Sequence, residues 1–138
     1  MDEYSIVERP PTVAEYQSMR MAVGWGEAAV EAIESSLRNS LYWVCLLRQE
    51  TVIGCGRVVG DGGLCFYVQD IIVLPPYQSQ GLGHRIMEKI MEYVQAHAHQ
   101  GGFVDLMAAK GAEGFYLKYG FLERPTADYG PGMILFWK

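Results

Sequence analysis

Asp70-Ile71-Ile72-Val73-Leu74-Pro75-Pro76-Tyr77-Gln78-Ser79-Gln80-Gly81-Leu82-Gly83-His84 changes character twice along its length. It begins as an apolar run with three consecutive β-branched residues, the pattern of a buried strand. Pro75 and Pro76 end that strand, because neither can give an N–H to a sheet ladder. Two closely spaced glycines follow, and an amphipathic pattern starts at once behind them. The order is strand, glycine-rich turn, helix start. Such a turn leaves several backbone N–H groups unpaired at the positive end of a helix dipole, which suits a phosphate or pyrophosphate.

The spacing decides which phosphate loop this is. A Walker loop needs Lys and Ser/Thr directly after its last glycine, where His84 and Arg85 stand. A dinucleotide fingerprint needs a third glycine where Ile86 stands. The run V-x-P-x-x-Q-x-x-G-x-G is matched by Val73, Pro75, Gln78, Gly81 and Gly83. It resembles the acetyl-CoA signature of the GNAT superfamily of N-acetyltransferases. An ordinary helix-entry turn, with glycines that only allow close packing, is the plainer reading of the same residues.

Upstream, Tyr4 to Val7 is a short strand closed by Arg9-Pro10-Pro11. Thr12 and Glu15 form a capping box for a helix through Val23, which Gly24-Trp25-Gly26 ends. A second helix is expected from Glu27 to Leu37. Leu41 to Leu47 is too apolar and aromatic for anything but a strand buried on both faces. Val52 to Val59 runs back from it, with Gly54 and Gly56 pointing to a bulge or a close neighbour. Asp61-Gly62-Gly63 is a hairpin turn, and Leu64 to Val73 completes an antiparallel meander.

Downstream, Ile86, Met87, Ile90, Met91 and Val94 give one apolar stripe on a helix from Gly83 to about His97. His97 and His99, two apart, share no helix face, which argues against a metal site. Gly101-Gly102 ends the helix, and Phe103 to Ala108 is a further strand, parallel to Leu64–Val73 because the connection is a βαβ crossover. A short helix from Ala112 to Tyr119 is capped by Gly120. Met133 to Trp137 is expected to close the sheet. Phe115 to Phe121, F-Y-x-K-x-G-F, looks like the second hallmark of the same superfamily. The resemblance implies an α/β (α+β) fold in one domain over 1–138. Its mixed twisted sheet would have about six to seven strands, with an antiparallel N-terminal meander, a central parallel βαβ pair and helices on both faces.

The whole chain has 138 residues, half of them hydrophobic, with a formal net charge of −5. That balance argues against a nucleic-acid partner and mildly favours cationic, amine-bearing substrates. The first residues carry no signal peptide, and no apolar run approaches the ~18 residues of a membrane span. A soluble, cytoplasmic protein is expected, with no membrane partner. Cys45, Cys55 and Cys65 are odd in number and lack C-x-x-C spacing. Buried thiols on three successive strands are expected, rather than a disulfide framework or a zinc site.

An amine attacking a thioester needs a held donor, a deprotonated amine, a stabilised oxyanion and a protonated leaving thiolate. The resemblance implies acetyl-CoA as co-substrate, with no metal. Its pyrophosphate would lie on the backbone N–H groups of Gln78, Ser79, Gln80, Gly81, Leu82, Gly83 and His84. Its pantetheine arm would pair with the backbone of Ile71, Ile72 and Val73, and the Val73 N–H would face the thioester oxygen. Tyr116 corresponds to the family tyrosine that points at the coenzyme sulfur. A phenol of pKa about 10 suits protonation of a thiolate of pKa roughly 8.5; simple packing is the other reading of the ring.

Relatives often carry a Glu four residues before the Val73 position, and here that residue is Gln69, which cannot take a proton. Asp70, beside it, is the candidate base, directly or through a water; a structural carboxylate and a water chain are its alternatives. A β-bulge would decide which of the two faces the cleft. Trp43, Arg57, Tyr67 and Gln69 are candidates for the acceptor pocket, with Trp25 a further one. The expected activity is acetyl transfer to a primary amine, of a small molecule or a protein, by direct attack in a ternary complex. Two other possibilities stand beside it: a non-catalytic acyl-CoA-binding regulatory or interaction protein of the same fold, and a homodimer formed along the C-terminal strand.

Overall fold

A computed structural model of the chain describes residues 2–137. Two compact units make it up, Met1–Asp105 and Leu106–Lys138. The first holds a five-stranded sheet in the order β1-β2-β3-β4-β5. The strands are β1 (Tyr4–Val7), β2 (Tyr42–Arg48), β3 (Thr51–Gly60), β4 (Cys65–Val73) and β5 (Phe103–Asp105). The first four pair antiparallel. β5 runs parallel to β4, as the crossover requires, with Cys65 opposite Phe103 and Tyr67 opposite Asp105.

Helices α1 (Val13–Ala22) and α2 (Val30–Asn39) cover one face of this sheet, and α3 (Leu82–His97) the other. Tyr16 and Met19 of α1 and Ile33 of α2 pack with Trp43, Cys45, Val52, Cys55 and Ile72. The Thr12–Glu15 capping box is formed in both directions, so α1 starts where the sequence predicts. On the opposite face, a Cβ on Gly56 would stand 2.8 Å from both Ile71 Cδ1 and Ile86 Cγ2. The glycine lets α3 lie close on the sheet at the point where β4 is irregular.

The second unit contains α4 (Glu113–Leu117). Within it Phe115, Tyr116 and Phe121 form edge-to-face ring contacts. The segment 133–137 is not a strand, and its side chains are exposed. The sheet therefore has five strands, not six or seven, among the described residues. The apolar composition of Met133–Trp137 set the β propensity, but a strand also needs a partner edge, which composition does not supply. Cys45 and Cys55 are buried and directly opposed on β2 and β3, whereas Cys65, at the exposed start of β4, is not a buried thiol. No helix of the described residues is long and apolar enough to cross a membrane.

Candidate active site

Two features of β4 shape the site, and both are backbone features. The first is its open edge. β5 pairs only with Cys65–Tyr67, so the remainder of β4 has no strand partner on that side among the described residues. On the other side Val73 is opposite Gly54, and the Leu74 N–H donates to the Ile53 carbonyl at 2.9 Å. Successive peptide groups of a strand alternate in direction. The N–H and C=O of Val73 therefore point to the open edge. The Val73 carbonyl is already engaged, accepting from Gln78 Nε2 at 2.8 Å. Its N–H is directed into the gap.

By the same alternation Ile71 faces the open edge, while Ile72 turns its peptide to β3. Ile72 lies opposite Cys55, its carbonyl is close to Gly54, and its side chain is in the core. Of the three residues expected to offer main chain to a pantetheine arm, Ile71 and Val73 turn theirs to the open edge and Ile72 turns its own to β3.

The second feature is a bulge. Cys55 is opposite Ile72 and Arg57 is opposite Gln69, so Asp70 and Ile71 together face the single residue Gly56. Asp70 carries the irregularity, with φ of 54°. The extra residue resets the alternation. Gln69 points to the face of its partner Arg57, and Asp70 is turned to that same face. There the carboxylate is buried, yet two donors reach its Oδ2: Tyr16 Oη at 2.6 Å and Arg57 Nε at 2.8 Å. Its Oδ1 accepts no hydrogen bond from the described residues.

Arg57 is fixed in turn. Its Nη1 donates to Ser40 Oγ at 3.1 Å, and its guanidinium lies over the Trp43 ring at 5.4 Å. Tyr16 meets Trp43 edge-on at 5.8 Å between centroids. Burial and the neighbouring Asp70 push the Tyr16 phenol up to about 12, so it is a donor throughout the physiological range. Trp43 is a buried wall of this corner, not an exposed contact surface. Gln69 faces the corner from β4, and Tyr67, two residues earlier, is opposite Val59 on one side and Asp105 on the other. Trp25 is exposed beyond the end of α1 and takes no part in the corner's hydrogen bonds.

The glycine loop follows the strand. Pro75–Tyr77 is a single 3₁₀ turn, and the Gln78 N–H closes it on the Pro75 carbonyl at 3.3 Å. Gln78 therefore spends its backbone amide on Pro75 and its side chain on Val73, and is not among the free donors. Ser79 and Gly81 then take left-handed φ values of 65° and 80°. Gly81 is the N-cap of α3 and supplies no side-chain cap, so the first-turn amides behind it keep no protein acceptor within the helix. Leu82 is buried as the anchor of that turn, while His84 is half-buried. A Cβ on Gly81 would meet nothing within 4 Å. The space beside Gly81 is open and the first turn of α3 has no side-chain cap, an arrangement compatible with a pyrophosphate.

Tyr116 stands on α4 in the second unit, partly buried against Phe115 and Phe121. Burial raises its phenol above the ordinary value, so it carries its proton at neutral pH. An open concavity of about 390 Å³ lies against Glu8, Leu37, Ser40, Tyr42 and Trp43, sharing Ser40 and Trp43 with the corner. Neither Asp70 nor the glycine loop lines it. Among the described residues no group of three or more His, Cys, Asp or Glu is placed to hold a metal ion.

The role of Tyr16 and the side-chain use of Gln78 were not readable from the sequence. Tyr16 shows only as one apolar position of a helix, and nothing in its surroundings signals a partner on β4.

Residues 38–123 match the family model described as an acetyltransferase (GNAT) domain. The structure is similar to that of a probable acetyltransferase from meticillin-resistant Staphylococcus aureus, with a TM-score of 0.89 at 36% identity over 97% of this chain and 99% of the other. It is also similar to a GNAT-family protein from Streptococcus pneumoniae, with a TM-score of 0.80 at 31% identity over 98% of each. Among curated relatives, GCN5-related N-acetyltransferase 1, chloroplastic, of Arabidopsis thaliana is 30% identical, the match covering 88% of this chain and 60% of that protein.

Proposed function

From the premise that this chain belongs to the GNAT acetyltransferase family and is an N-acetyltransferase, we propose that it moves the acetyl group of acetyl-CoA to a primary amine by direct attack within a ternary complex. The observation that supports this reading is the open edge of β4, where the Val73 N–H points away from β3 just before the glycine loop and the N-terminus of α3. Acetyl-CoA, when bound, supplies the activated acyl group. Everything else is work for the chain's own residues.

The amides of Ser79–Gly83 hold the diphosphate at the positive end of α3. The edge groups of Ile71 and Val73 align the pantetheine arm, and the Val73 N–H stabilises charge as it develops on the thioester oxygen. Asp70, whose Oδ1 is buried and without a hydrogen-bond partner, takes the amine proton through a water, while Tyr16 and Arg57 hold Oδ2 and fix the carboxylate's orientation. Tyr116 returns a proton to the departing sulfur. Gln69 and Arg57 form part of the acceptor-binding side, with Trp43 behind them. The acceptor is a primary amine of a small molecule or a protein, and the acidic net charge supports its attraction at long range.

The test is thiol release from acetyl-CoA across a panel of small amines and amine-bearing peptides, with the acetylated amine identified by mass. Release in step with amine acetylation is expected, with intersecting lines in two-substrate kinetics. Coenzyme binding without release on any amine would leave only a binding protein. Parallel lines would mean an acyl-enzyme and would overturn direct attack.

A further inference from the structure

The glycine loop is bordered by charge that the acetyl-transfer reading does not use. Three consecutive residues at the start of the chain each touch the loop or its flank. Asp2 Oδ2 pairs with Arg85 Nη1 at 2.8 Å, and Glu3 with Arg48 at 3.3 Å. Tyr4 Oη donates to Gln80 Oε1 at 3.1 Å, and its ring meets Tyr77 edge-on. The Arg48 guanidinium lies 5.9 Å over that same Tyr77 ring. Sheet register explains the gathering. Tyr4 is opposite Arg48 at the end of the sheet where β4 hands the chain to the loop.

Arg85 is oddly placed for a helix. It lies in the first turn of α3, where the dipole disfavours a cation, and that turn contains no acidic residue. An anion is therefore missing from the turn's own sequence and is brought in from outside. In this structure Asp2 brings it. Both acids are more than half exposed and both arginines about a third or more, so these pairs are weakly held and readily exchanged. A diphosphate on the loop carries more negative charge than either carboxylate and would sit beside the same two arginines.

We propose that Asp2 and Glu3 are a built-in competitor for the phosphates of the coenzyme: they occupy Arg85 and Arg48 in the free protein, are displaced or repelled when the coenzyme binds, and so set its affinity. This rests on the reading of the glycine loop as the coenzyme site. It makes the acidic start of the chain a brake on binding rather than a brace for the loop, and the two roles have opposite signs.

The experiment is calorimetric titration of coenzyme A into the full chain and into Asp2→Asn, Glu3→Gln and the double variant, at low and at physiological salt. At low salt the double variant should bind roughly three- to tenfold tighter and each single variant roughly two- to threefold tighter, because a like charge has been removed beside a polyanion. The gain should shrink as salt screens the loop. Affinity for pantetheine, which has no phosphate, should not change when measured as inhibition of turnover. Unchanged or weaker coenzyme A binding by the double variant would overturn the proposal, and so would an equal gain for pantetheine. Failure of the wild-type chain to bind coenzyme A would sink the loop reading as well, so the two failures are distinguishable. Tyr4→Phe, which alters the same strand without changing charge, should give no tightening; if it does, charge is not the cause.

Discussion

The glycine loop and the Asp70 corner are both supplied by β4, yet they are built in opposite ways. In the proposed reading the loop works through main chain. Its donors are amides, its shape comes from left-handed residues, and one local side chain, Gln78, ties it back to the strand. The corner works through side chains drawn from distant positions: Tyr16 on α1, Trp43 on β2, Arg57 on β3 and Asp70 on β4. A main-chain site tolerates changes of side chain but not of backbone shape. A side-chain site has the reverse sensitivity. Variants can break that contrast or sharpen it.

The largest effect is expected at the corner. Asp70→Asn keeps the shape of the side chain and removes its capacity to take a proton, so kcat should fall by about a hundredfold or more, the usual share of a general base. Coenzyme affinity should stay within about twofold, because the loop does not depend on this side chain. Steady-state kinetics and calorimetry on the same preparation check both halves. A loss of coenzyme binding equal to the loss of turnover would mean that the two regions are one unit and the contrast is false.

Next comes the loop. Gly81→Asn introduces a residue that tolerates left-handed φ, and the added Cβ meets no protein atom. The fold should therefore be kept, with a melting temperature near the wild type. Coenzyme binding should nevertheless weaken by roughly tenfold or more, because that open space is where the diphosphate must approach the backbone. Unaltered affinity in the calorimeter would show that the glycine serves the turn and not the ligand.

The contrast also explains what could be read in advance. The loop was legible because its requirements are local: β-branched strand, prolines, two glycines at fixed spacing and an amphipathic stripe all lie within one stretch of sequence. The capping box at Thr12, the meander and the parallel crossover were legible for the same reason. Asp70 could be named as a candidate, but not its direction. The bulge that turns it toward Arg57 comes from a mismatch between two strands, and Gly56 hints at it only as a glycine in a strand. Tyr16 and Ser40 were invisible as partners because each lies far along the chain from the residue it holds. The C-terminal strand was misread by the same logic in reverse, since apolar composition is local and strand pairing is not.

Tyr116→Phe should be smaller than either, lowering kcat by roughly tenfold with coenzyme affinity unchanged. Its phenol is raised by burial, so the acid form is present across neutral pH and the effect should be nearly flat from pH 6 to 9. Equal kcat for the two proteins in single-turnover measurements would remove the acid role and leave a packed ring.

The smallest effect, and the most discriminating for the corner, is that of Tyr16→Phe. Only one oxygen is lost, and Arg57 still holds Asp70 Oδ2 at 2.8 Å, so kcat should drop by a few-fold. Stability gives the sharper readout. The folded-state pKa of Tyr16 is raised to about 12, so folding favours the protonated phenol. Its contribution is fully present below the unfolded value of about 10 and is lost as pH rises through the folded value. Wild type should therefore melt higher than Tyr16→Phe by a constant margin up to about pH 10, and that margin should narrow between about pH 10 and 12. Burial is the larger cause of the raised value and Asp70 the second, so a margin that stays constant across that window would mean that neither acts on the phenol. In that case the carboxylate would be held by Arg57 alone, and α1 would have no part in orienting it.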